Sequence, residues 1–268
     1  MKEDPLYLVI PAAGLGKRMK AVNPEIPKEM LPVGDKPAIQ YAVEEGISAG
    51  IENIIIVINQ QKEVIRKYFE DERFRENTFP YSITFLYQAN PMGESDAIYL
   101  AKDVVGDHSV AIIYPDNLYF PAARALMSLK TAFKKYKTDV IALMEVNDEN
   151  AKGISNSGKA DIEPFKDNVY RIKRFYQKGE GHYKLRFQEE LRTCGIMISG
   201  PHIFDYIERA HGSIKEDEEF TDIHVRMLIL KERGLLGCRL SGTVFDIGNP
   251  AGYELCLSYI KRTYGRKN

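Results

Sequence analysis

The sequence predicts an α/β fold: a doubly wound, mostly parallel (mixed) sheet with helices on both faces and a small antiparallel β insertion. Three observations carry this. Through the first 150 residues, short β-branched apolar runs alternate with helical patterns, the rhythm of a parallel sheet whose crossovers are helices. Several of these runs are apolar at every position, as strands covered on both faces must be. From about residue 150 the chain turns to short strands and turn residues, as in an antiparallel insertion covering one sheet edge. With 268 residues there is chain enough for a sizeable core, and we read one domain: a first half over 1–150, a second over 150–250, and a closing helix over 250–268.

Taken in order, Leu6 to Ile10 reads as a buried strand bounded by prolines. Prolines at 24, 27 and 32 then forbid a long helix before Val33. Ala38 to Ala49 has helical apolar spacing (Ile39, Ala42, Val43, Ile47), and Gly50 ends it as a C′ glycine does. Ile54 to Ile58 is a strand. Lys62 to Phe74 is a charged amphipathic helix with a stripe of Val64, Ile65, Tyr68 and Phe69. Next come a strand over Ser82 to Tyr87, a helix from Gly93 to about Lys102, and a strand over Val110 to Tyr114. Ala122 to Tyr136 reads as helix and Asp139 to Met144 as strand. The insertion follows, then a return strand (Arg192 to Ile198), helices over Pro201 to Ala210 and Asp222 to Arg233, short strands within Gly237 to Asp246, and a last helix over Asn249 to Tyr264.

Composition narrows the functional classes. The chain is 44% apolar and 28% charged, with a formal net charge of −1, so no global field steers it toward nucleic acid or an anionic membrane. Its three cysteines (Cys194, Cys238, Cys256) are widely spaced and lack a CxxC, which argues for reduced, buried thiols rather than a disulfide framework or structural zinc. The five histidines show no HxH or HExxH spacing and read as structural or surface groups. The first residues are too short and too charged for a signal segment, and no run of apolar residues is long enough to span a bilayer; a cytoplasmic protein is expected. EDEEF at 216–220 reads as a solvated helix start.

The stretch YLVIPAAGLGKRMKAVNPEIPKEMLPV holds the strongest chemical signal. A buried strand ends, a loop of small residues follows, and cations stand at Lys17, Arg18 and Lys28, the order expected of a phosphate site. It is neither of two common phosphate loops: Met19 replaces the third glycine of GxGxxG, while Pro11 and Arg18 break the Walker A spacing. Asp116 in IIYPDN closes a buried strand, where open α/β sheets bind ligands, although for a lone Asp there a cap on the helix expected near Pro121 is the preferred reading, and it is a companion carboxylate that tips the balance. Asp246 in TVFDIGNP stands in the same setting, and two such carboxylates suit Mg²⁺, which takes one or two carboxylates plus substrate phosphates.

These residues resemble the signature of the sugar-phosphate nucleotidyltransferases, GxGTRxxPxTxxxPKxMLPV, most of all in the UTP–glucose-1-phosphate uridylyltransferase branch. The offset from Arg18 to Lys28 and the text PKEMLPV match; Lys17 in place of Thr and AVN in place of PxT depart from it. The resemblance implies a Rossmann-like nucleotidyltransferase domain whose first half binds nucleotide and whose second binds sugar. It implies Arg18 and Lys28 as catalytic cations, Ala12, Ala13 and Gly14 as nucleotide contacts, and Asp116 and Asp246 as Mg²⁺ ligands. Gln88 and Gly93 in QANPMGESD match base contacts, though an ordinary loop ending in a helix cap reads as well there, and GESDA replaces the usual GLGHA. Lys178 matches the lysine that meets the sugar phosphate, with Gln177 in place of Glu and Gly179 in place of Pro; a solvated lysine on a basic strand is the equal alternative. Gly195 matches a backbone contact to the sugar.

The implied reaction joins a sugar 1-phosphate, foremost glucose 1-phosphate, to an NTP, foremost UTP, releasing pyrophosphate. A phosphate nucleophile has a second pKa of about 6, so no general base is needed. The implied protein works on small molecules, without nucleic acid or membrane, as a homo-oligomer (dimer or tetramer). The changed family positions leave a catalytically silent sugar-nucleotide-binding regulator as the alternative. A dinucleotide-dependent oxidoreductase is disfavoured by the missing glycine, and a bifunctional acyltransferase by the absence of a hexapeptide-repeat tail.

Overall fold

The computed structural model describes residues 6–71, 81–90, 92–212 and 220–265. Strands β1 (Leu6–Pro11), β2 (Pro32–Val33), β3 (Lys36–Pro37), β4 (Asn53–Ile58), β5 (Ser82–Tyr87) and β6 (Ser109–Ile113) occupy the first half. They are followed by β7 (Asn117–Phe120), β8 (Val140–Val146), β9 (Ala160–Lys166), β10 (Val169–Phe175), β11 (Glu190–Ser199), β12 (Leu236–Arg239) and β13 (Thr243–Asp246). Nine of them form one sheet in the order β5-β4-β1-β6-β11-β8-β12-β10-β9. β5, β4, β1 and β6 are mutually parallel; β11 runs against both β6 and β8; β12 is parallel to β8; and β10 and β9 form the antiparallel hairpin at the far edge. The sheet is therefore mixed and mostly parallel, as predicted.

Both faces are covered, and the strand side chains divide between them with period two. Leu8, Ile10, Ile54, Ile56 and Ile58 pack under α1 (Ala38–Ser48), α2 (Glu63–Glu70) and a later helix on that side. Val9, Ile55, Val57 and Ile112 face α3 (Glu94–Tyr99) and α4 (Lys102–Val105). Burial on both sides explains why β4 is apolar along its length. α5 (Ala125–Tyr136) completes the first face; α6 (Ile203–His211) and α7 (Asp222–Arg233) complete the second. The last helix, α8 (Pro250–Tyr264), starts with Pro250 and is capped by Asn249, whose side chain accepts the Gly252 N–H at 2.9 Å. It closes a third core around Met19, Leu31, Phe120 and Phe245.

Several boundaries differ from expectation. The helix expected over Ala122–Tyr136 begins at Ala125, because the preceding NLYF forms β7, which pairs antiparallel with β13. The helix expected from Gly93 to Lys102 is broken into α3 and α4. Val64 is 44% exposed and lies outside the stripe that Ile65 and Phe69 bury, and Lys62, read as the charged start of this helix, is 6% exposed. Residues 72–74 of that predicted helix and 216–219 of EDEEF lie outside the described residues; Phe220, expected to be solvated, is buried. The three cysteines are free and buried, as expected. Among the described residues no helix is long and apolar enough to cross a membrane.

Candidate active site

β1 and β6 lie side by side in parallel, so the loop after Pro11 and the Tyr114–Asp116 turn emerge at the same edge of the sheet. Between Lys17 and Met30 the prolines allow only 3-10 turns, at Lys17–Ala21 and Lys28–Met30. The second turn delivers Lys28, whose Nζ donates to Asp116 Oδ2 at 2.5 Å. The pairing of β7 with β13 sets Asp246 opposite Asn117, one residue from Asp116. Both carboxylates crowd Gly248: a Cβ there would sit 2.8 Å from Asp116 Oδ2 and 3.1 Å from Asp246 Oδ1. Arg18 enters from the other side, donating from Nη1 to Ser155 Oγ at 2.8 Å, while the Ser155 N–H donates to Asp246 Oδ2 at 2.9 Å. Arg18, Lys28, Asp116 and Asp246, predicted from four separate stretches, are thus linked into one cluster.

Their electrostatics are mutual. Burial would lower the Lys28 ammonium, but Asp116, Glu29 and Asp246 outweigh it and hold the pKa above its ordinary value. Burial likewise would raise the Asp116 carboxyl, yet the charge of Lys28, its hydrogen bond, that of Asn117 and the charge of Arg18 keep it below the usual carboxylate range. Lys28 and Asp116 therefore keep each other charged near neutral pH, and the carboxylates of Asp116 and Asp246 stand beside the two cationic side chains. That set can hold a divalent cation and polyphosphate together.

Ala12 and Ala13 are buried at the loop start, and the Ala12 N–H extends the sheet by donating to the Val57 carbonyl at 2.8 Å. Gly16 turns the chain into the Arg18 segment with φ 62°. Gly195 on β11 passes beside Tyr114 and Asn117, the residues that flank the Asp116 turn: its N–H meets Asn117 Oδ1 at 3.4 Å, and a Cβ on it would strike the Asn117 side chain at 2.9 Å. Gln88 lies buried at the same sheet edge, its Nε2 donating to Asp96 Oδ2 at 2.6 Å and to the Gly93 carbonyl at 3.2 Å. Gly93 is glycine for a reason internal to the fold: φ is +139°, and a Cβ would fall 2.2 Å from the Phe220 carbonyl. Gln177 and Lys178 are exposed and, among the described residues, make no hydrogen bond to the four charged groups. Their loop is nonetheless anchored near them, since the Gly179 N–H donates to the carbonyl of Asn156, the neighbour of Ser155.

Sequence reasoning missed four participants. Ser155 carries no motif. Asn117 has no signal beyond its place beside Asp116. Asn59 donates to the Ala13 carbonyl at 2.6 Å, and Lys62 donates to the carbonyls of Ala12 and Gly14 and to Glu29 Oε2 at 2.7, 2.6 and 2.8 Å. An Asn followed three residues later by a Lys, just after a buried strand, was the available signal. A Ser199–His202–Asp139 trio also exists, at the opposite sheet edge where β8 begins and β11 ends. Both of its contacts use His202 Nε2 (3.4 and 2.8 Å), so it lacks the two-nitrogen relay of a nucleophilic site.

A cation–carboxylate cluster at the carboxyl ends of parallel strands, beside a small-residue loop, defines a class of protein that handles nucleotide phosphates. The chain belongs to the nucleotidyl transferase family, whose profile matches residues 7–257. A Bacillus subtilis relative is 33% identical over 261 residues, covering 91% of this chain and 93% of its own. The UTP–glucose-1-phosphate uridylyltransferase of Staphylococcus epidermidis is 28% identical, over 91% of this chain and 88% of its own. The crystal structure of a UDP-glucose pyrophosphorylase complexed with UDP-glucose superposes with a TM-score of 0.81 at 26% identity, over 96% of this chain and 99% of that one.

Proposed function

We propose that this protein is a sugar-1-phosphate uridylyltransferase that converts UTP and glucose 1-phosphate into UDP-glucose and pyrophosphate. The names of its relatives support that choice of substrates. The observation that carries the chemistry is the convergence of Arg18, Lys28, Asp116 and Asp246 through Ser155 and Gly248. Residues 1–150 form the nucleotide half in this reading, and 150–250 the sugar half.

An oxygen of the sugar phosphate attacks the α-phosphorus of UTP; that P–O bond forms as the bond to the β-phosphate oxygen breaks, and pyrophosphate leaves. With a second pKa of about 6 the attacking phosphate is mostly dianionic at neutral pH, so no side chain need remove a proton. Lys28 bridges the two phosphates that approach each other, and Arg18, oriented by Ser155, meets charge on the departing pyrophosphate. Asp116 and Asp246 are hard oxygen donors closing on one point, which fits Mg²⁺. They are the residues that would hold it, and when bound it neutralises phosphate charge. Ala12, Ala13 and Gly14 line the triphosphate, Gln88 and Gly93 the base, and Gly195, Gln177 and Lys178 the sugar phosphate. The catalytically silent reading gains no support from the relatives. Three free thiols fit a reducing compartment, the cytoplasm, and we extend the reading to a dimer or tetramer.

The test is a matrix of UTP, dTTP, CTP, ATP and GTP against glucose 1-phosphate and other sugar 1-phosphates with Mg²⁺, reading pyrophosphate. The highest kcat/KM is expected for UTP with glucose 1-phosphate. Preference for another pair reassigns the substrates, and no release from any pair refutes the activity.

A further inference from the structure

Lys62 follows β4 and lies buried beneath the loop that ends β1, far from bulk water for a lysine. Its three donors are all used: on the Ala12 carbonyl, the Gly14 carbonyl and Glu29 Oε2. Asn59 takes the carbonyl between them, that of Ala13. Three successive carbonyls are therefore drawn to one side of the loop. In a trans peptide the N–H of the next residue points opposite to the carbonyl. The N–H groups of Ala13, Gly14 and Leu15 are thereby turned to the other side, and none of them has a partner among the described residues. Successive free N–H groups of this kind form an anion-binding concavity. The same ammonium reaches Glu29, the neighbour of Lys28, so one side chain joins the phosphate loop to the turn that carries the catalytic cation.

We propose that Lys62 is a positioning residue for the nucleotide triphosphate: it aims the Ala13, Gly14 and Leu15 N–H groups at the β- and γ-phosphates and fixes their distance from Lys28. Lys62 touches no substrate and acts through the loop. Glu29 supports it and has a second task as counter-charge, since burying an ammonium without one is costly. The inference rests on the uridylyltransferase reading, and its selectivity follows from the geometry. Phosphates beyond the α-position lose their donors when Lys62 is removed, whereas uridine keeps its own contacts at the Gln88 loop.

The test compares UTP and UMP binding by calorimetry, without sugar phosphate, for the wild type, Lys62→Met, Lys62→Arg and the double variant Lys62→Met/Glu29→Gln. Lys62→Met is expected to weaken UTP binding about tenfold or more, the effect of losing one to two hydrogen bonds' worth of organisation, and UMP binding by much less. Lys62→Arg, which keeps charge and donors, is expected to recover part of the UTP affinity. The double variant removes the buried unpaired carboxylate, so its thermal stability should return toward wild type while the UTP deficit stays. If the double variant regains both stability and UTP affinity, Lys62 only neutralises Glu29 and the proposal is overturned. Equal losses for UTP and UMP overturn it as well. A wild-type protein that binds no UTP would instead refute the functional reading and this proposal with it.

Discussion

At the scale of single residues, the site is governed by pairs whose members keep each other charged. Asp116 is held below its ordinary value of 3.8 in spite of its burial, with Lys28 as the strongest opposing influence. A carboxyl depressed in the folded state contributes stability that is present above its unfolded pKa and lost as the pH falls through the folded one. For the metal-free protein, the urea midpoint should therefore be insensitive to Asp116 above about pH 5 and decline in acid below 3.8. In Lys28→Met only the Asn117 hydrogen bond and the charge of Arg18 still oppose burial at Asp116, so its pKa rises and this acid decline should shrink in a titration of stability against pH. Ser155 acts on Arg18 through one hydrogen bond. Ser155→Ala is accordingly expected to reduce kcat/KM about tenfold, the worth of roughly 1 to 1.5 kcal/mol, with little change in melting temperature.

At the scale of elements, contacts distant in sequence fix the details that local patterns leave open. α5 has no side-chain cap of its own; Glu45 of α1 supplies it, accepting the N–H groups of Arg124 and Leu126 at 2.9 and 3.0 Å. Glu45→Ala would strand those donors, and a loss of about 1 to 3 kcal/mol is expected in chemical denaturation, with α5 fraying first in hydrogen exchange. This remote cap is also why the start of α5 was illegible: nothing near Ala122 announces it. β7 was missed for the same reason, being four residues whose partner strand lies beyond residue 240. The long apolar strands and the amphipathic helices were legible because burial on two faces or one imprints itself directly on local composition. The β7–β13 pair sets the spacing of the two carboxylates around Gly248. Gly248→Ala should thus lower Mg²⁺-dependent turnover more than it lowers stability, checked by assay and melting curve on the same preparation.

At the scale of the whole molecule, a mixed sheet covered on both faces gathers residues from the loop after β1, the turns around Lys28 and Asp116, and the β13 end onto one rim. Arg18, Lys28, Asp116 and Asp246 were legible in the sequence because each follows a strand or a proline-bounded turn. Lys62 was not, because a lysine at a helix start ordinarily faces water, and its partners meet only when β1 and β4 pair. The core leaves the thiols inaccessible: burial pushes Cys194 and Cys238 up to about 11 and Cys256 to about 12. At pH 8 a disulfide reagent should label none of them in the native protein and all three once it is unfolded. The central claim is that this rim transfers a nucleotidyl group using charge rather than a side-chain nucleophile. It is tested most directly by the initial rate of pyrophosphate release from UTP and glucose 1-phosphate with Mg²⁺, measured for the wild type and Asp116→Asn. We predict turnover that requires both substrates in the wild type and a fall of at least ~100-fold in the variant, with its fold intact by circular dichroism; equal rates in the two proteins, or release without glucose 1-phosphate, would contradict the account.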